Sequence, residues 1–305
     1  MASVTAPLRV QDEVAAALAD GRAVVALEST LIVHGLPRPG SLDVACALER
    51  TVRAEGAVPA MVGVIEGIPT IGLDAVELER LVAGETAKLG VRDLAPALAA
   101  RHPGATTVAS TAHLAALAGI RVLATGGLGG VHREARDTWD ESVDLVTLAR
   151  VPVAAVCSGV KSVLDVPATL QRLETLSVPV IGYRTRRFPG FYVADSGCDI
   201  EWRVDTPAEA ARVIIAHHAL GGRGLVIASP PPPDTALDPQ LHDEALASAL
   251  AALLTAGVHG KAATPFLLAH LHAATAGATV RANIALVLAN ARLAAQVAAN
   301  LSQQT

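Results

Sequence analysis

The chain has 305 residues, 51% of them hydrophobic but only 2% aromatic, and carries a formal net charge of −5. That length and an Ala/Val/Leu/Ile core suffice for a large α/β domain without disulfide or metal staples. The acidic balance, with no basic run interleaved with aromatics, excludes nucleic acid as the main partner.

Arg9 to Asp20 places apolar residues at helical spacing and predicts a first amphipathic helix, closed by Gly21. Ala23 to Thr30 (AVVALEST) reads as a short β-branched strand. It is followed by a loop, His34 to Gly40, and a helix from Ser41 to Arg53 with Ser41 as its cap. Val58 to Ile65 is the next strand. A short apolar stretch, IPTIGL, precedes helices over Val76 to Ala83 and Asp93 to Arg101. Thr106 to Ser110 reads as a short strand, with Ser110 or Thr111 capping a helix from Ala112 to Ala118. Strands are further expected at Ile120 to Thr125, Val151 to Cys157, Val178 to Tyr183 and Gly224 to Ser229. Long Ala/Leu helices end the chain, at Pro239 to Ala256, Thr264 to Ala276 and Ile284 to Leu301.

Nearly unbroken apolar strands, each followed by a helix, predict a three-layer α/β/α fold with a mainly parallel central sheet. A single domain over residues 1–305 is expected, with the proline run Ser229 to Asp234 as a surface loop. Cys46, Cys157 and Cys198 lack metal or redox spacing and suit a reducing cytoplasm. The opening MASVTAPLRVQDEV has no charged segment leading into an apolar one, and no uninterrupted apolar run reaches about 18 residues. A cytoplasmic protein without a membrane span is therefore expected.

Lysine is scarce. Lys plus Arg totals 24, yet the lysines are only Lys88, Lys161 and Lys261. A chain that uses Arg for plain positive charge makes each retained lysine a candidate for amine chemistry. Lys161 follows the apolar run VPVAAVCSG at the expected start of a helix, where desolvation favours the neutral, nucleophilic amine. In open parallel sheets ligands gather beyond the carboxyl ends of the strands. Glu28, the glycine run Gly126, Gly127, Gly129 and Gly130, and Lys161 would share that rim. The run reads either as a backbone cradle for phosphate or as a tight turn with close packing. It does not match GxGxxG, and no dinucleotide site is expected. His132 beside it is a candidate polar contact. Asp137, Asp140, Glu141 and Asp144 fall on one face of a helix over Glu134 to Asp144. That face is either an all-oxygen site for Mg2+ or Mn2+ or a solvated acidic surface. With Glu28 as proton shuttle, Lys161 and the glycine run suggest Schiff-base chemistry on a sugar phosphate.

Several strings occur in order between Ala26 and Ala295: ALEST…HGLPRP, GATTVAST, RVLATGGLGGVHR, TWDES-x-D, VCSGVKS-x-LD, PVIGYRT…FPGFY, GKAATPFLLA and NIALVLANARLAA. Together they resemble the pseudouridine-5′-phosphate glycosidase (pseudouridylate synthase) family over nearly the whole chain. The resemblance implies reversible cleavage of pseudouridine 5′-phosphate to uracil and ribose 5-phosphate, a divalent metal, typically Mn2+, and a homotrimer. It implies Lys161 as nucleophile, Glu28 as proton donor and Asp140 as metal ligand. Lys88, Val108, Ser142, Val143 and Asp144 fall at substrate-contacting positions, and His132 and Asn283 lie in matching motifs. The metal cluster then contracts to Asp140, with Asp144 nearby. One departure stands out: the family's KxSRRDL is KLGVRDL here, so a serine and an arginine after Lys88 are missing. Two other readings share the same residues, a Schiff-base aldolase and a non-catalytic sugar-phosphate-binding regulator. The expected partner is a small-molecule substrate, not nucleic acid or a membrane. Lys261 has no assigned role.

Overall fold

The apolar runs pair into a continuous sheet, seen in a computed structural model that describes residues 8–38, 40–258 and 263–304. Lys261 lies outside the described residues. The first half of the chain contains β1 (Arg9–Val10), α1 (Asp12–Ala19), β2 (Val24–Glu28), a π-helical turn (Leu31–Gly35) and α2 (Ser41–Ala54). It continues with β3 (Val58–Ile65), β4 (Ile68–Ile71), α3 (Ala75–Ala83), β5 (Ala87–Leu89), α4 (Val91–Ala99), β6 (Gly104–Thr106) and α5 (Val108–Leu117). Next come β7 (Val122–Ala124), α6 (Ala135–Thr138), α7 (Val143–Leu148), β8 (Ala154–Cys157), α8 (Val166–Thr175) and β9 (Val180–Tyr183). The chain ends with β10 (Trp202–Val204), α9 (Pro207–Ala219), β11 (Leu225–Ala228), α10 (Pro239–Ala256), α11 (Ala263–Ala274) and α12 (Ala278–Ser302).

The strand order is β1-β4-β3-β2-β7-β8-β11-β9-β10, with β6 joined to β3 and β5 to β6. Pairing is parallel except where β3 meets β4 and β6. Every residue of β2, β7, β8 and β11 is buried, which is why these strands read as unbroken apolar runs. From β2 the chain crosses to β3 on one side, whereas from β7 it crosses to β8 on the other. Between β2 and β7 the winding therefore reverses, and such a reversal opens a crevice at the carboxyl ends. Helix α12 lies across β2, β7 and β8, flanked by α2 and α9, while α5 and α7 pack together on the opposite face. Along β3, β6 takes over from β2. Buried hydroxyls seal the change: Ser29 Oγ and Thr106 Oγ1 donate to the Val62 carbonyl at 2.6 and 2.7 Å.

Four strands escaped the sequence pattern: β4 reads there only as a short apolar stretch, and β1, β5 and β10 are two or three residues long and mix charged with apolar side chains. The expected first helix accordingly starts only at Asp12, capped by the Gln11 side chain. Helix α5 starts at Val108, not Ala112, because the Thr107 hydroxyl caps it by accepting from the Ser110 N–H. Ser41 is the first residue of α2 rather than its cap. By length and composition α12 is the one helix among the described residues able to cross a membrane, but it serves as the core helix beneath the sheet. Leu123, fully buried at the middle of β7, tests this core. Leu123→Ala should lower unfolding free energy by about 2–5 kcal/mol in urea titrations, and an unchanged midpoint would contradict the packing.

Candidate active site

A cleft of about 250 Å³ opens beyond the carboxyl ends of β2, β7 and β8. Glu28, Lys88, Val108, Gly129, His132 and Lys161 line it, together with Asp140 and the triplet Ser142, Val143 and Asp144. Asn283, Gly126, Gly127 and Gly130 are not among its walls. Thr30, Arg92 and Thr264 line it without having been singled out in the sequence.

Glu28 ends β2 and is 7% exposed. Thr30 Oγ1 donates to its Oε2 and Thr125 Oγ1 to its Oε1, so each carboxylate oxygen accepts from a buried hydroxyl. The sheet explains Thr125. Ala26 pairs with Leu123 and Leu27 with Ala124, so the next step brings Thr125 opposite Glu28. Thr30 enters the π-helical turn, whose amides at Ile32 and Val33 both donate to the Ser29 carbonyl. The sequence signal for both was present, a threonine two residues after the glutamate and one closing the neighbouring strand.

Lys161 follows β8 through Ser158, Gly159 and Val160. Gly159 has φ +82°, and a Cβ there would lie 2.1 Å from the Pro189 carbonyl oxygen, so only glycine fits. The segment pairs with the glycine run: Leu128 N–H donates to the Gly159 carbonyl at 2.9 Å and Lys161 N–H to the Leu128 carbonyl at 3.1 Å. Lys161 thus stands on extended chain, not at a helix start. Helix α8 begins at Val166, where Asp165 supplies the cap and Pro167 the first turn. The Lys161 side chain is half-buried, and among the described residues none forms an ion pair with it. Burial pushes the neighbouring Cys157 thiol up to about 12, which keeps it protonated and inert.

The glycine run is shaped by close packing rather than by positive φ. A Cβ on Gly127 would strike the Phe191 ring at 2.6 Å, and one on Gly130 would meet Thr169 Oγ1 at 2.4 Å. At Gly129 it would meet Ser142 Oγ at 2.2 Å, and the Gly129 N–H already donates to Asp144 Oδ2 at 2.8 Å. The other Asp144 oxygen accepts from the Ala109 N–H at 2.9 Å, in the first turn of α5. Asp144, 5% exposed, therefore ties the glycine run to that helix. Asn283 is buried on α12, its Oδ1 without a protein partner and near Gly126.

The helical acidic face does not form. Helix α6 stops at Thr138, and Trp139 turns the chain with φ 59°. Asp140 and Glu141 then run back along the Val131 segment: His132 N–H donates to the Asp140 carbonyl at 3.0 Å, and Val131 bridges Glu141. The Glu141 carboxylate pairs with Arg172 at 2.8 Å, and Asp144 is turned inward. Asp140 lines the cleft, its carboxylate without such a partner among the described residues other than His132, whose Nδ1 is 3.9 Å from its Oδ2. No group of three or more His, Cys, Asp or Glu side chains suited to a metal occurs among the described residues. This oxygen-plus-imidazole pair fits a Mn2+-like cation only with water or substrate completing the shell.

Lys88 lies on β5 and lines the same cleft. Nearby, His34 Nε2 donates to the Thr86 carbonyl at 3.0 Å, and burial, with the charges of Lys88 and Arg38, holds this imidazole below the usual histidine range. The departure after Lys88 falls at a helix start. Gly90 is the cap position of α4, with no hydroxyl to offer, and its N–H donates to Asp93 Oδ2 at 3.0 Å.

The family profile of "indigoidine synthase A like protein" matches residues 13–300. A pseudouridine-5′-phosphate glycosidase of Salinispora tropica is 59% identical over 300 residues, 97% of this chain and 93% of that one. Another, from Streptomyces griseus, is 58% identical over 290 residues, 94% of this chain and 90% of its own. Among solved structures, the prealnumycin C-glycosynthase AlnA in complex with ribulose 5-phosphate superposes with a TM-score of 0.91 at 39% identity, covering 98% of both chains. The chain belongs to the indigoidine synthase A-like family, which it shares with the pseudouridine-5′-phosphate glycosidases, and like them it is an enzyme.

Gly129→Ala should eject Ser142 from the cap of α7 and disturb the Asp144 tie. A stability loss of about 1–3 kcal/mol is expected in chemical denaturation, with activity falling more than it does for Ala substitution at the exposed Leu220; equal behaviour would contradict the close-packing account.

Proposed function

We propose that the enzyme reversibly cleaves the carbon–carbon glycosidic bond of pseudouridine 5′-phosphate, giving uracil and ribose 5-phosphate. The observation that carries this reading is an amine and a carboxylate, Lys161 and Glu28, on the walls of one cleft, the carboxylate gripped on both oxygens. The names of the relatives support the substrate, and the pentose phosphate bound to the C-glycosynthase supports the sugar half.

Hydrolysis of ordinary glycosides needs a carboxylate pair and a heteroatom leaving group. Here the leaving atom is C5 of uracil, and an amine solves the problem. Lys161 attacks C1′, the C1′–O4′ bond breaks, and Glu28 carries the proton lost by nitrogen to O4′. The nitrogen lone pair then forms the C=N bond as the C1′–C5 bond breaks and C5 takes a proton. Water adds to the resulting imine and releases ribose 5-phosphate with regeneration of the lysine. A guanidinium, always protonated, cannot take the place of Lys161. Hydrogen bonds to both Glu28 oxygens fix the orientation of the carboxylate that carries the proton. Asp140 with His132 would hold a divalent ion, most simply Mn2+, which when bound supplies positive charge to orient substrate or water. Lys88 and Arg92 give the cleft positive charge for the phosphate.

A catabolic, cytoplasmic role and a homotrimeric assembly complete the proposal. Three free cysteines suit the reducing compartment, and the family resemblance supports the trimer, which the mass from light scattering checks.

Following uracil release from pseudouridine 5′-phosphate by ultraviolet absorbance tests the reading. Wild-type enzyme should turn over, a chelator should slow it and Mn2+ restore it. Lys161→Arg should be folded and inactive, and Glu28→Gln should lose roughly 100-fold or more. Full activity in Lys161→Arg would defeat the proposal, and release of a small aldehyde in place of uracil would favour an aldolase.

A further inference from the structure

The grip on Glu28 continues away from the cleft, into helix α12. Asn290 on that helix is fully buried. Its Nδ2 donates to the Thr125 carbonyl at 2.9 Å and to Ser158 Oγ at 3.1 Å. The amide orientation follows from the Thr125 carbonyl, which can only accept. Thr125 is the residue whose hydroxyl holds Glu28, and Ser158 is where the chain leaves β8 for Lys161. Ser158 N–H also donates to the Gly126 carbonyl at 2.9 Å. A single side chain thus clips the ends of β7 and β8 together, beside the backbone pairing that continues from one to the other.

We propose that Asn290 is a positioning residue for the reacting pair. Through the Thr125 carbonyl and the Ser158 hydroxyl it fixes the strand end that grips Glu28 against the strand end that carries Lys161. The inference rests on the Lys161–Glu28 chemistry proposed above. Filling the volume beneath the sheet requires only a side chain of similar size, whereas the clip requires a donor. Displacing a reacting group by about 1 Å can cost on the order of 100-fold in rate without weakening binding.

The test compares uracil release by wild-type enzyme, Asn290→Leu, which keeps the volume, and Asn290→Ser, which keeps a donor toward the Thr125 carbonyl. Asn290→Leu should lower kcat about 100-fold with KM changed less than about three-fold, and Asn290→Ser should recover about ten-fold of that loss. In a Glu28→Gln background the Asn290→Leu loss should shrink to less than about three-fold. A kcat within about two-fold of wild type, or an equal loss in both backgrounds, would overturn the proposal. If Asn290→Leu does not fold, Ser158→Ala goes through the same cycle, with a loss of about five-fold expected that vanishes beside Glu28→Gln. Failure of wild-type enzyme to release uracil would contradict the proposed function instead. Crystal structures then decide the positioning claim alone: a Glu28 carboxylate displaced in Asn290→Leu supports it, and an unmoved one overturns it.

Discussion

Parallel pairing of β2, β7 and β8 at the reversal of the sheet is the constraint on which the site depends. Parallel strands end their carboxyl termini on one side, so the last residue of each is delivered to the same crevice. Register does the rest. One residue of slip between β2 and β7 would remove Thr125 from Glu28, and with it one of the two hydrogen bonds that aim the carboxylate. The same crevice receives Lys161 only because the chain beyond β8 keeps pairing with Leu128 after the regular strand has ended.

That continued pairing explains the glycines. Between Gly126 and Gly130 the chain passes under Phe191, beside Ser142 and against Thr169, with no space for a methyl group at several positions. The run is the joint at which β7, β8, α7 and α5 meet, and Asp144 closes it with two amide contacts. A carboxylate with both oxygens on backbone amides is a fixed strut. Asp140, on a segment braced by Glu141 and Arg172, lines the cleft as well. Rigid supports of this kind hold the Lys161 amine and the Glu28 carboxylate on the walls of one cleft.

Much of this was legible in the sequence, for a physical reason. Strands buried on both faces must be apolar throughout, so β2, β3, β7, β8, β9 and β11 announced themselves, with β3 bounded at Val58 and Ile65 as expected. Lys161 stood out because lysine is scarce, and Glu28 because a carboxylate closes an apolar strand. Other features depend on tertiary partners that no periodicity encodes. Trp139 in a left-handed conformation breaks what reads as an acidic helix, and Asp165, not the chain near Lys161, caps the following helix. Thr30, Thr125 and Asn290 are polar residues whose meaning lies in what they touch. Short edge strands such as β10, with Trp202 and Arg203 exposed, carry no alternating or apolar signature at all.

The central claim is that Lys161 becomes covalently attached to the sugar. Incubating the enzyme with ribose 5-phosphate and borohydride, digesting it and measuring peptide masses tests this directly. The account predicts a reduced ribose 5-phosphate adduct on the peptide containing Lys161 and loss of activity in proportion to labelling. An unmodified Lys161 in an enzyme that turns over normally would contradict it.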